Sequence, residues 1–226
     1  MRYYPIQLDV QGRRCLVVGG GGVGTRKVDT LLSCGAQVTV VSPAVTDELR
    51  RLFAEGFIRL WERAYSASDL EGVFLVIGAT DDEDLNFRIS RDAAALNILC
   101  NIADRPEKCN FILPAIVQRG DLVLTVSTSG KSPALAKKLR RELEHQFGDE
   151  YAVLLRLMGA IRKRLLAEAH APEVHKPIFE KIVHSDILRW IRGGRMQEVN
   201  RLLADILGDG WRAENLLSEV DDGSGN

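Results

Sequence analysis

Through the first half of the chain, short apolar runs alternate with stretches whose apolar residues recur every three or four positions. The runs at 14–18, 37–41, 57–61, 73–77 and 98–102 read as strands. Residues 73–77 are apolar throughout, as a strand buried on both faces should be. After the first run, Val28, Leu31 and Leu32 share a helical face, and Gly35 supplies a stop. Pro43 and Thr46 open a second helix carrying Leu49, Leu52 and Phe53. Residues 81–97 predict a third, with Asp82, Glu83 and Asp84 near its positive end. Strands alternating with helices imply βαβ units and a parallel sheet.

The pattern then changes. Residues 111–117 and 122–126 read as two strands separated only by Gln118, Arg119, Gly120 and Asp121, a link short enough for an antiparallel hairpin. Ser132 as N-cap and Pro133 at the first position start a helix. From Asp149 onward the period is helical. Leu154, Leu157, Met158, Ile161 and Leu165 share one face, and Met196, Val199, Leu202, Leu203 and Ile206 share another. Gly193, Gly194 and Gly208 mark breaks, and residues 221–226 read as a disordered tail. The fold class is therefore α/β: a Rossmann-like parallel sheet domain, then a hairpin and helix, then a small all-helical C-terminal domain.

Composition narrows the setting. The 226 residues are 46% apolar and 27% charged, which is ordinary globular usage and excludes disorder of the whole chain. The net charge of −1 argues against a general nucleic-acid binder. No apolar run reaches the ~18–20 residues that span a bilayer. Residues 1–5 lack the apolar stretch of a signal peptide, so a cytoplasmic protein with no membrane partner is expected. Cys15, Cys34, Cys100 and Cys109 form no CxxC pair and read as free thiols in a reducing compartment. His170, His175 and His184 lack metal-ligand spacing, and Pro172 breaks any shared face. No metal site is expected.

Gly19, Gly21 and Gly24 form G-x-G-x-x-G after a predicted strand and at the start of a predicted helix, which is the context that gives the motif meaning. Gly19 would allow the tight turn, Gly21 the approach of a pyrophosphate, and Gly24 close packing of helix on strand. With Gly22 and Val23 they form the cofactor loop. The acidic residue that usually ends the second strand of an NAD site is missing; Ser42, followed by Pro43 and Ala44, stands there. No Arg adjoins Ser42, so the motif leaves NAD and NADP open.

An ordered set of short strings accompanies this loop: Pro5-Ile6, residues 15–21, Arg26-Lys27, Gly35-Ala36, residues 38–43, residues 79–82, Leu85-Asn86, Cys100-Asn101, Asp104, residues 111–115 and residues 127–133. Together they resemble the siroheme synthase N-terminal module family, which comprises precorrin-2 dehydrogenase and sirohydrochlorin ferrochelatase. The resemblance runs from about residue 3 to about residue 205 and weakens after 150. It implies NAD-dependent oxidation of precorrin-2 to sirohydrochlorin. Some members also insert ferrous iron, a substrate rather than a bound cofactor, to give siroheme. It implies a homodimer and a division into an NAD-binding domain at 1–113, a dimerisation segment at 114–147 and a helical domain at 148–226. With the chain ending at Asn226, the methyltransferase of longer relatives is expected to be absent.

The resemblance assigns roles residue by residue. Asp104 follows the fifth predicted strand and is the catalytic candidate, because a carboxylate can take the proton left by hydride loss; the plain alternative is a turn residue before Pro106. Thr80 and Asp81 would border the cofactor, a role compatible with capping the next helix. Asn101 would help orient the substrate site or satisfy backbone at a strand end. Ser127, Thr128, Ser129, Gly130, Lys131 and Ser132 offer hydroxyls, N–H groups and a helix N-terminus to an anion. Lys131, Lys137, Lys138, Arg140 and Arg141 form a basic stretch with no acidic residue among them, suited to a carboxylate-rich tetrapyrrole. A reading of a different class, an NAD-binding regulatory or sensor module without catalysis, would share the glycine loop but would not require Asp104.

Overall fold

The computed structural model describes residues 3–103, 105–167 and 172–223. The chain divides into two compact units, Met1–Leu113 and Pro114–Asn226.

In the first unit, β1 (Arg14–Gly20) leads through α1 (Gly22–Ser33) to β2 (Gln37–Val45), and α2 (Asp47–Ala54) leads to β3 (Ile58–Trp61). Then β4 (Leu75–Gly78), α3 (Glu83–Ala95) and β5 (Leu99–Ile102) follow. The strands pair in parallel in the order β3-β2-β1-β4-β5. Successive strand residues enter opposite cores. Cys15, Val17, Val38, Val40, Leu75 and Ile77 join Val28 and Leu31 of α1 and Leu49 and Leu52 of α2. Leu16, Val18, Val41, Val76, Cys100 and Ile102 join Ile89 and Ala93 of α3. Helices on both faces explain why these strands are apolar rather than alternating. Burial pushes the Cys15 thiol up to about 11, with Cys34 adding to it, and the Cys100 thiol up to about 12, with Cys109 adding to it.

Several boundaries differ from the sequence reading. Pro43 does not open α2; it lies inside β2, which continues past a register shift so that Val45 pairs with Gly20. β3 pairs with β2 only as far as Val41, so the missing N–H of Pro43 interrupts no ladder on that side. Thr46 alone caps α2, its hydroxyl accepting from the Leu49 N–H. Asp82, rather than Thr80 or Asp81, caps α3 by accepting from the Leu85 N–H at 3.0 Å.

The second unit opens with a hairpin of β6 (Ala115–Arg119) and β7 (Leu122–Val126). The expected strand at 111–117 begins only after Pro114, because a proline has no N–H to give a ladder. Arg119 pairs with Leu122, leaving Gly120 and Asp121 as the turn, and Gly120 adopts the positive φ of 57° that the first position of a type II′ turn takes. The helices α4 (Pro133–Gln146), α5 (Glu150–Ala167), α6 (Pro172–Val183), α7 (Ile187–Arg192), α8 (Met196–Leu207) and α9 (Ala213–Gly223) complete the unit. Leu154, Leu157, Ile161 and Leu165 of α5 meet Ile182, Ile187, Val199, Leu203 and Leu216 in one core. The expected tail is corrected in part: α9 carries the chain helically through Gly223, anchored by buried Ala213 and Leu216. Residues 224–226 and His170 lie outside the described residues. Among the described residues, no helix is long and apolar enough to cross a membrane, and no cluster of three His, Cys, Asp or Glu could hold a metal.

Candidate functional site

The sheet order reverses direction between β1 and β4, and open α/β sheets take their ligands outside the carboxyl ends of the strands at such a point. Two connections meet there, the glycine loop after β1 and the turn after β4. Gly19 has φ +113°, and a Cβ there would stand 2.3 Å from the Ala79 carbonyl oxygen. A Cβ on Gly24 would stand 2.0 Å from the Gly19 carbonyl oxygen. These two glycines let the loop, the helix and the β4 turn close on one another. Gly21 and Gly22 are different: a Cβ on either would meet nothing within 4 Å. No side chain caps the α1 N-terminus at Gly21, and Val23 stands in its first turn. The open floor and uncapped N–H groups fit a dinucleotide pyrophosphate.

Beside the loop, the Thr25 hydroxyl reaches the Gly21 carbonyl at 3.1 Å and the Thr46 hydroxyl at 2.9 Å. The Thr46 N–H donates to the Gly20 carbonyl at 3.0 Å. Neither threonine was singled out for this role from sequence, and only the length of β2 brings them together. At the end of β2, Ser42 is buried and its hydroxyl donates to the Ala44 carbonyl at 2.7 Å, while Pro43 and Ala44 are exposed. No acidic side chain stands in β2.

In the turn after β4, Thr80 Oγ1 accepts from the Asp82 N–H at 3.1 Å, and Asp81 is exposed. Asn86 is buried in α3, and its Nδ2 donates to the Thr80 carbonyl at 2.8 Å. After β5, Asn101 is also buried, and its Nδ2 donates to the Phe111 carbonyl at 3.1 Å. Cys109 Sγ accepts from the Ile102 N–H at 3.1 Å, and Arg105 pairs with Glu83 at the start of α3. Asn101 thus holds the segment that returns past β5. Asp104 lies outside the described residues.

In the second unit, residues 127–132 form a tight, internally bonded loop. The Lys131 N–H donates to the Thr128 carbonyl at 3.0 Å, with positive φ at Ser129 (53°) and Gly130 (80°), as in a type I′ turn. The Thr128 hydroxyl accepts from the Ser132 N–H and donates to the Ser132 carbonyl, each at 3.1 Å. Ser127 Oγ accepts from the Ser129 N–H, and Ser132 Oγ accepts from the Leu135 N–H. The hydroxyls expected to face an anion therefore mostly hold the loop itself. Ser129 and Lys131 remain exposed with side chains unengaged among the described residues. Along α4, Lys138 pairs with Glu142 and Arg140 with Glu144. Lys137 and Arg141, one turn apart, are exposed and outside those pairs.

Residues 6–115 match the family described as "Putative NAD(P)-binding", and residues 119–146 match "Sirohaem biosynthesis protein central". A siroheme synthase of Nitrosococcus oceani is 36% identical over 95% of this chain and 46% of its own length. One from Pseudomonas paraeruginosa is 39% identical over 93% of this chain and 45% of its own length. The chain thus spans a little under half the length of these relatives. A solved structure titled "SirC, precorrin-2 dehydrogenase" is 28% identical, with a TM-score of 0.70, over 88% of this chain and 100% of that one. The class is that of Rossmann-like NAD(P)-binding proteins. Along this chain the nucleotide-binding match is followed by the match to the sirohaem-biosynthesis central segment, and the chain is similar to these siroheme synthases over 93–95% of its length.

Proposed function

We propose that this chain oxidises precorrin-2 to sirohydrochlorin with NAD as oxidant. The observation that carries the reading is correspondence over the whole length of the precorrin-2 dehydrogenase structure, joined to a glycine loop open where a pyrophosphate would lie. NAD, when bound, supplies the hydride acceptor. Gly21, Gly22, Val23 and Gly24 would hold its pyrophosphate through the first turn of α1, while Ser42, Pro43 and Ala44 would border the ribose and Thr80 and Asp81 would border the rest. NAD rather than NADP is proposed on the resemblance, since residues 42–45 carry neither an acidic residue for the ribose hydroxyls nor a cation for a 2′-phosphate.

Asp104 is the proposed proton acceptor. Hydride loss from carbon leaves an adjacent proton acidic, and a nearby carboxylate can take it. Asn101 shapes the segment after β5, and Ser127, Thr128, Ser129, Gly130, Lys131 and Ser132 form the proposed tetrapyrrole-facing loop. Residues 114–147 would pair with a second copy. In support, α4 has no buried residue, and Ile116, Leu135 and Leu139 are exposed apolar side chains.

The name of the relatives, siroheme synthase, favours a second step in which ferrous iron enters sirohydrochlorin as substrate. Anaerobic incubation with precorrin-2 and NAD tests the first step by the sirohydrochlorin spectrum. NAD binding without that spectrum would replace the enzyme by a sensor module. Adding ferrous iron tests the second step; siroheme no faster than in a protein-free control removes it. Light scattering of the eluting protein decides the homodimer.

A further inference from the structure

Asn86 belongs to the ordered strings that carry the family resemblance, yet none of the roles assigned above uses it. It sits in the second turn of α3 and is 5% exposed. Its Nδ2 donates to the Thr80 carbonyl at 2.8 Å. Its Oδ1 is buried and has no hydrogen-bond partner. Room for the amide comes from Gly78, where a Cβ would stand 3.1 Å from Oδ1. The residue before Thr80 is Ala79, whose carbonyl lies against Gly19, and the Ala79 N–H donates to the Val18 carbonyl at 2.7 Å.

A continuous set of contacts thus runs from α3 to the glycine loop. Asn86 holds the Thr80 carbonyl, the Ala79–Thr80 turn abuts Gly19, and Gly19 opens the loop whose exposed side is Gly21 and Gly22. Polar side chains seldom face a sheet core, and leaving a buried acceptor unpaired is costly. An amide placed there for packing alone would be replaced by an apolar residue at no loss.

We propose that Asn86 is a positioning residue for dinucleotide binding. It holds the Ala79–Thr80 turn so that the glycine loop keeps the height at which its N–H groups meet a pyrophosphate. The proposal rests on the dinucleotide reading of that loop. It requires the donor at Nδ2, not merely the volume of the side chain.

The test compares Asn86→Asp and Asn86→Ala with the wild-type chain by calorimetric NAD titration, with circular dichroism and thermal melting as controls on folding. Asn86→Asp is isosteric but lacks the donor when ionised and regains one, a carboxyl O–H, when protonated. At pH 8 both folded variants should bind NAD about tenfold more weakly, the loss of one net hydrogen bond. As the pH falls towards 5.5, Asn86→Asp should recover affinity while Asn86→Ala does not, because burial raises the pKa of the introduced carboxyl. In turnover, the KM for NAD should rise with kcat at saturating NAD retained. At pH 8, NAD affinity within twofold of wild type in either folded variant overturns the proposal and leaves the dinucleotide reading standing. If neither variant folds, hydrogen exchange of the wild-type chain decides: NAD should slow exchange at residues 79–82, and unchanged exchange there, with NAD bound, overturns it. A wild-type chain that binds no NAD at all removes the dinucleotide reading and this proposal with it.

Discussion

The hydroxyl oxygens of Thr25 and Thr46 stand 2.9 Å apart and tie the helix after the glycine loop to the connection after β2. The direction of the bonds follows from their other partners. Thr25 donates to the Gly21 carbonyl, so Thr46 donates to Thr25 while accepting from the Leu49 N–H. Thr25→Val keeps the shape and deletes the bridge. NAD affinity should fall about three- to tenfold, in line with ~1 kcal/mol for one hydrogen bond, and Thr25→Ser should restore it. Thr46→Val should add a loss of stability of about 1 kcal/mol, because it also removes a helix cap. Titration calorimetry and urea unfolding separate the two effects.

Gly19 and Gly21 belong to one motif but face different surroundings, so alanine should act differently at each. At Gly19 the Cβ would collide with the Ala79 carbonyl at 2.3 Å, on a backbone with φ +113°. Gly19→Ala should lower the melting temperature by several degrees, consistent with a loss of at least ~1–3 kcal/mol. At Gly21 the backbone is extended (φ −79°, ψ −175°), and a Cβ would meet nothing. Gly21→Ala should melt like wild type yet bind NAD much more weakly, because the methyl group occupies the side left open for the pyrophosphate. Wild-type affinity in a folded Gly21→Ala chain would place the ligand elsewhere.

The order of strands and helices was legible because the period changes with the element, and burial on both faces leaves apolar runs such as 73–77. What escaped is set by distant pairing rather than local pattern. Pro43 reads as a helix opener until Val45 is seen to pair with Gly20. Asp221 and Asp222 read as a tail until α9 is seen anchored by Ala213 and Leu216. Around the candidate site, the glycines were legible from spacing, since steric need at Gly19 and Gly24 leaves one residue type. Thr25, Thr46 and Asn86 were not. A threonine or asparagine in a helix has many uses, and theirs appears only when a partner 21 positions away, or a carbonyl across a turn, is in reach.

The basic stretch on α4 separates into paired and unpaired charges. Lys138 and Arg140 face Glu142 and Glu144 at i,i+4, and Lys137 and Arg141 lie outside those pairs. If a polycarboxylate docks on this helix, Lys137→Glu with Arg141→Glu should raise the substrate KM several-fold at low salt, with kcat little changed. Raising the ionic strength to 0.5 M should shrink the difference, since exposed charges are screened over a few ångströms there. Lys138→Ala should have a smaller effect. Steady-state kinetics across a salt series checks each statement, and equal KM values in all variants would move the docking surface off α4.

Acid should loosen both units through carboxylates held below their ordinary range. In the second unit the Arg192 guanidinium, bonded to Glu150, outweighs burial and holds that carboxyl down. In the first, burial pushes Asp69 up, but the Arg63 guanidinium at 2.6 Å and the Ser66 N–H outweigh it and leave it lowered. A folded-state pKa below the unfolded value contributes stability that is present at neutral pH and lost as pH falls through the folded value. The unfolding midpoint should therefore be flat from pH 7 to the ordinary carboxylate range and fall below it. Glu150→Gln should lower the midpoint at pH 7 and flatten the acid limb. Arg192 is 64% exposed, so solvent screens the pair and the cost should stay at about 1 kcal/mol.

Asp104 is the proposed proton acceptor. In sequence it follows the end of β5 by two positions, and open parallel sheets bind ligands beyond the carboxyl ends of their strands. If its carboxylate takes the proton released with hydride loss, Asp104→Ala should slow sirohydrochlorin formation about a hundredfold or more, the usual worth of a positioned base. NAD affinity by calorimetry should stay within twofold, because the glycine loop and the Thr80 turn are untouched. The pH profile gives a second check. Wild-type kcat should fall on the acid side as the carboxylate protonates, and that limb should vanish from the residual activity of Asp104→Ala. Wild-type turnover in the variant would remove Asp104 from the reaction. A loss of NAD binding in step with turnover would instead make it part of the cofactor cradle.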